Sequence, residues 1–272
     1  MDKIDFQANL SSFRQEFNDY AENVMSQYDV SILSEPIKYS FFGGGKRLRP
    51  VIMMATADLL GLNTATVLPY ALSLECIHVH SLIHDDLPSL DNDTTRRGVP
   101  CCHVVFGEGI GLLAGDALLN CAYEIALADC DNPKKISALR YLSRMAGVFG
   151  MIGGQSMDIS VPNLSKNSRD DLYSKKTSAL FKAALCIPAI INDEDSCRFT
   201  LFEELGENLG ILFQVTDDRI DGMDLNEVSQ LDIDKVEKDV ACYSDKCVQI
   251  IDKLGGWPFM KSLIKYICGR KG

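Results

Sequence analysis

Apolar residues in this chain recur at three- and four-residue spacing over long windows, about 48–60, 67–87, 106–130, 135–150, 169–191, 199–222 and 235–254, while strand signals are scarce. That periodicity predicts an all-α protein. Breaks are expected at Gly43-Gly44-Gly45, Gly61 to Asn63, Asp91 to Pro100, Asp131 to Pro133, Gly153-Gly154, Pro162-Asn163 and Asn192 to Asp195. Roughly ten helices with short connections predict a bundle rather than a solenoid. A chain of 272 residues with 46% hydrophobic content can bury a sizeable core. With no linker-like stretch, low-complexity tract or fixed-period repeat, a single domain over 1–272 is expected.

The formal net charge of -11 argues against a nucleic-acid partner, which would need a basic face to displace counterions. A small anionic substrate is compatible with it, provided that local cations or carboxylate-held Mg²⁺ invert the field at the site. Ten cysteines form no C-x-x-C pair, and several sit in apolar runs, as Cys121 and Cys186 do; free thiols in a reducing compartment are expected. The segment Met1 to Phe6 lacks an apolar core, and no window approaches roughly 20 uninterrupted apolar residues, so the expected location is cytoplasmic and not integral to a membrane.

On the helix spanning Tyr70 to Leu87, Ala71, Leu74, His78, Ser81 and Asp85 fall on one stripe at 100° per residue. The stripe turns from apolar to polar towards its end. An ionised aspartate there is costly to desolvate, so that end should open onto solvent or a metal-filled cavity. Asp85, Asp86, Asp91 and Asp93 place four carboxylates in nine positions, the oxygen donors that Mg²⁺ prefers. On a continuous helix Asp91 would lie about 120° from Asp85, so the chain must loosen near Pro88. Taken alone, an acidic helix end running into a loop explains the cluster equally well. A second cluster, Asp217, Asp218 and Asp221, ends another apolar helix, and its i, i+4 pair is mutually repulsive unless a cation neutralises it. Two such clusters favour a shared metal site.

Cations suited to phosphate are grouped as well, Lys46, Arg47 and Arg49 after the three glycines, and Arg96-Arg97 after the first cluster. Arginine forks match diphosphate oxygens, and glycines allow close backbone approach. A lone glycine-rich turn is weak evidence, and this one lacks P-loop spacing. Taken singly, Lys176, Thr177 and Gln214 are ordinary helix residues.

Read together, Gly44-Gly45-Lys46-Arg47-Leu48-Arg49-Pro50, the run from Glu75 through His78 and His84-Asp85-Asp86 to Pro88, and Asp91 through Arg96-Arg97-Gly98 resemble the trans-isoprenyl diphosphate synthases, as do Phe106-Gly-Glu108, Leu113 to Leu119, Gly154 to Asp158, Lys176-Thr177 and Phe213 to Asp221. The likeness spans about 36–224, in the family's order and closest in motif form to bacterial farnesyl and geranylgeranyl diphosphate synthases. It implies one helical bundle around a deep cavity, usually dimeric, that joins an allylic diphosphate to isopentenyl diphosphate with Mg²⁺, about three ions with substrate bound. The metal residues would be Asp85, Asp91, Asp217 and Asp221, with Asp86 and Asp218 in support. Lys46, Arg49, His78 and Arg97 match the isopentenyl diphosphate contacts, and Arg96, Lys176, Thr177 and Gln214 match the allylic side. His84, His103 and the cysteines have no nucleophilic role in such a reaction.

The resemblance also places His80 and Ser81, five and four positions before Asp85, at the cavity floor. Ser81 is small and His80 intermediate in bulk, so C15 and C20 products both stay open, with C15 favoured. Two departures stand out. The lysine-bearing segment that the family carries beyond the second cluster is missing; neither Lys235 nor Lys238 has the spacing to replace it. Arg219 also stands at a usually apolar position. They motivate an alternative, a catalytically weak or inactive subunit that tunes a partner synthase. A terpene cyclase fits poorly, because Lys46, Arg49 and Arg97 would be idle there.

Overall fold

A computed structural model describes residues 3–29, 31–160, 166–224 and 230–270. As the periodicity predicts, the chain is all-α. Helices α1 (Lys3–Met25), α2 (Ser34–Phe42), α3 (Leu48–Leu59) and α4 (Leu68–Asp85) precede a short hairpin of β1 (Thr95–Arg96) and β2 (Val99–Pro100). Helices α5 (Cys102–Phe106), α6 (Glu108–Ala128), α7 (Pro133–Ala146), α8 (Met151–Ser160) and α9 (Lys166–Tyr173) follow, then α10 (Ala179–Asn192), α11 (Ser196–Asp224), α12 (Gln230–Lys253) and α13 (Pro258–Cys268). One π-helical turn, Ser174–Ser178, joins α9 to α10.

Helix α4 is the axis of the bundle. It packs against α6, α3 and α10, and α10 in turn packs against α7 and α11. Tyr70, Leu72, Leu74 and Ile77 are fully buried along it, and the Tyr70 hydroxyl donates to the Lys135 carbonyl at 3.1 Å, so the one polar tip in that row is satisfied. The hydrophobic core runs from α1 to α13 as one continuous cluster.

Local chemistry sets the joints. Asn132 caps α7 by accepting from the Lys134 and Lys135 amides at 3.0 and 3.1 Å, directly before Pro133 at its first turn. Asp193 ends α10 in the left-handed conformation with φ 63°. The Gly153-Gly154 break does not occur, since α8 runs through both residues. Gly154 serves close packing instead: any side chain there would collide with the backbone of Lys176. The windows also passed over α1, whose stripe of Phe6, Leu10, Phe17, Ala21 and Met25 is buried among otherwise polar neighbours.

Candidate active site

Helix α4 ends at Asp85, and the following turn swings Pro88 and Ser89 outwards before the Asp91 amide donates back to the Asp85 carbonyl at 2.9 Å. The chain thus loosens at the proline, and Asp91 returns close enough for its charge to act on Asp85. Burial pushes the Asp85 carboxyl up to about 6; Asp91 and Asp86 push the same way, against Lys176 and Arg96. Asp86 points elsewhere. It is buried and paired with Arg96, whose Nε donates to its Oδ1 at 2.6 Å.

A cavity of about 710 Å³ opens beside Asp85, within the range of small-molecule sites. Asp85 from α4 and Asp217 from α11 both line it, with Arg49, His78, Arg96, Arg97, Lys176, Thr177 and Gln214 around them. His80 and Ser81 line it too, and Leu119, Met151, Ile152, Ile159 and Leu180 supply apolar wall. Lys46 does not line it. It is exposed overall, yet partial desolvation first and Arg270 second pull its ammonium below the usual value, against Asp217.

The cationic end depends on the hairpin. Arg97 and Gly98 take φ values of 54° and 79°, the primed turn that a two-residue hairpin requires, and so Arg96 and Arg97 are aimed at α4. Arg97 Nη1 donates to the Gly44 carbonyl at 2.5 Å, and a Cβ at Gly45 would stand 2.9 Å from the same nitrogen, so the glycine turn is shaped around this guanidinium. Arg49 stacks over Phe181 at 4.8 Å, and burial pulls it down to about 10, which leaves it charged at neutral pH. His78 lies among Arg49, Arg97, Arg47 and Arg96; burial first and these charges second hold it well below its usual value, so it is neutral. Arg47, by contrast, is structural. Its guanidinium makes a buried 2.8 Å pair with Glu75.

The opposite wall is built by the π-helical turn and α11. Lys176 Nζ reaches Asp158 at 2.5 Å, Thr177 Oγ1 donates to Gln214 Oε1 at 2.9 Å, and Gln214 Nε2 donates to Asp218 Oδ1 at 3.0 Å. The Tyr173 hydroxyl donates to the other Asp218 oxygen at 2.5 Å. The side chain of Asp221 lies outside the described residues. Asp158, the last residue of one motif, and Tyr173, which stands just before Lys176-Thr177, reveal their roles only as partners of Lys176 and Asp218. Gln155, also on the cavity wall, has both amide atoms buried and neither hydrogen-bonded among the described residues.

Among the described residues, no three His, Cys, Asp or Glu side chains converge as a ready-made metal cage. Hard carboxylates on facing helices, one of them half-buried and driven towards protonation, nevertheless suit Mg²⁺, which binds through one or two carboxylates, waters and substrate phosphates rather than a complete protein cage.

A family described as polyprenyl synthetase matches residues 30–239. The farnesyl diphosphate synthase of Escherichia coli (strain K12) is 40% identical over 195 residues, which cover 69% of this chain and 65% of that protein. That relative is therefore matched over less than two thirds of its length. The farnesyl diphosphate synthase of Micrococcus luteus is 38% identical over 220 residues, 79% of this chain and 76% of that one. A crystal structure of a geranyltransferase from Legionella pneumophila superposes with a TM-score of 0.88 at 26% identity, covering 98% of this chain and 99% of the other.

Proposed function

Because the chain belongs to the polyprenyl synthetase family and has the isoprenoid-synthase bundle, we propose that it is a prenyltransferase joining isopentenyl diphosphate head to tail to an allylic diphosphate, with a C15 or C20 prenyl diphosphate as product. One observation carries the reading: Asp85 and Asp217, from two different helices, open onto a single cavity whose remaining wall divides into phosphate-binding cations and apolar side chains.

Asp85, Asp91, Asp217 and Asp221, with Asp86 and Asp218 in support, would hold Mg²⁺, about three ions once diphosphate is present. Bound there, the metal supplies Lewis-acid neutralisation of the charge that develops on the leaving diphosphate. Arg49, His78 and Arg97 bind isopentenyl diphosphate from the cavity wall, joined by Lys46, which does not line the cavity without substrate, while Arg96 and Lys176 grip the allylic diphosphate. Ionisation leaves an allylic cation, towards which Thr177 and Gln214 present oxygen, and the apolar wall keeps water away. The isopentenyl double bond attacks that cation, and a proton passes to the departed diphosphate. No side-chain nucleophile takes part.

His80 and Ser81 limit the length of the growing chain. A second copy covers the outer face of α6, where Leu112, Leu113 and Leu127 are 47%, 50% and 61% exposed on a helix apolar enough to cross a membrane. A cytoplasmic location agrees with the free cysteines.

The test is incubation with Mg²⁺, isopentenyl diphosphate and each of the C5, C10 and C15 allylic diphosphates, with product length read by mass spectrometry. Asp85→Ala and Asp217→Ala should each abolish turnover. A wild-type protein inactive with every primer would instead support the partner-subunit reading, which the missing lysine segment favours.

A further inference from the structure

Beside the main cavity lies a second hollow of about 330 Å³, lined by Asp158, Arg169, Leu172, Tyr173, Lys176, Gln214 and Asp218. Lys176 and Gln214 line both, so the two are contiguous. Arg169, Leu172, Tyr173 and Lys176 follow i, i+3, i+4, i+7 spacing, which presents them along one side of α9 and the π-helical turn. Both carboxylates of this hollow already have partners. Asp158 takes Lys176 at 2.5 Å, and the two oxygens of Asp218 accept from Gln214 and Tyr173. Arg169 nevertheless faces the hollow, close enough for its charge to act on Tyr173, and its buried Nε has no hydrogen-bond partner among the described residues. A guanidinium beside carboxylates that are satisfied without it calls for an anion.

Resting on the prenyltransferase reading, we propose that Arg169 grips the diphosphate of the allylic substrate, supplying from α9 the positive charge of the lysine-bearing segment that is missing just beyond the second aspartate cluster. The downstream lysines are poorly placed to do so, since Lys235 and Lys238 are exposed on α12 and line neither cavity. The planar fork of Arg169 can meet two diphosphate oxygens at once, while Lys176 contributes a point charge from the next two turns of the same face.

Arg169→Ala and Arg169→Lys distinguish this role from a merely structural one. In steady-state assays with Mg²⁺, Arg169→Ala should raise the KM for the allylic diphosphate about tenfold or more, leave the KM for isopentenyl diphosphate within about twofold, and be partly rescued by Arg169→Lys. Calorimetric titration of the same proteins with inorganic pyrophosphate and Mg²⁺ should show a matching loss of affinity. An unchanged allylic KM with unchanged pyrophosphate binding overturns the proposal, as does an equal rise in both KM values. Should the wild type prove inactive with every primer, pyrophosphate binding that still depends on Arg169 upholds the anion site while the reaction assignment falls. If Arg169→Ala does not fold, Arg169→Gln carries the same comparison.

Discussion

Arg270, just beyond α13, places its Nη2 2.8 Å from Oδ1 of Asp217 and stacks over the ring of Phe213 at 4.1 Å. The tail is held there by Arg219, the residue at a usually apolar position, whose Nη2 donates to the carbonyl of Cys268 at 2.7 Å and lies 3.3 Å from that of Arg270. A cation from the end of the chain thus sits on a carboxylate of the second aspartate cluster.

Such a contact would compete with a divalent ion for Asp217. Arg270→Ala should therefore tighten Mg²⁺ binding to the substrate-free protein severalfold, as measured by calorimetry, and Arg219→Ala, which frees the tail, should act in the same direction. Weaker binding in both variants would show that the tail assists the metal.

The proposed floor has an internal support. His80 Nδ1 lies 3.1 Å from the Gly115 carbonyl, and its ring meets His84 edge to face at 4.5 Å. Truncation by His80→Ala should lengthen the product by at least one isoprene unit in mass-spectrometric assays; an unchanged product would place the floor elsewhere.

His80 also confers a pH signature. Burial lowers it from 6.5 to about 4, so between these values the unfolded chain binds the extra proton and stability falls as pH falls. The contribution is present above pH 6.5, is lost progressively towards pH 4, and amounts to about 3 kcal/mol. The raised carboxyl of Asp85 works in the opposite sense across most of that window, from about pH 6 down to 3.8. The difference between wild type and His80→Gln isolates the histidine: denaturant titrations at pH 7 and pH 4.5 should show a smaller acid loss in the variant.

The buried Arg47–Glu75 pair is 5% and 3% exposed at its side chains, and Arg47 holds a left-handed backbone with φ 49°. Glu75→Ala strands that guanidinium in the core and should cost about 3–5 kcal/mol in chemical denaturation. A loss below about 1 kcal/mol would mean that water reaches Arg47.

Much of the bundle is legible in the order of residues, since helices such as α4 and α11 carry long apolar stripes and both aspartate clusters close such a stripe. The loosening at Pro88 follows from its missing amide and fixed φ. The break expected at Gly153-Gly154 did not occur because glycine serves two ends, flexibility and close approach, which local sequence does not separate; the deciding contact is the distant backbone of Lys176. Arg219, Arg270 and Arg169 were illegible for a related reason. A surface arginine and one that reaches across the fold to a carboxylate or a hollow have the same local surroundings in sequence, and only the packing of α9, α11 and α13 tells them apart.

Helix α4 carries Asp85 at its end and His80 and Ser81 one turn earlier, and its buried packing allows it little freedom to bend or slide. For the proposed reaction it would therefore serve as a fixed ruler graduated in steps of about 5.4 Å. On the proposed reaction the chemistry would be anchored at the zero mark, and the longest product would be set by the graduation that bears a bulky side chain. Lengths should change in discrete jumps as bulk moves from one turn to the next, so the yardstick can be recut without touching the reaction.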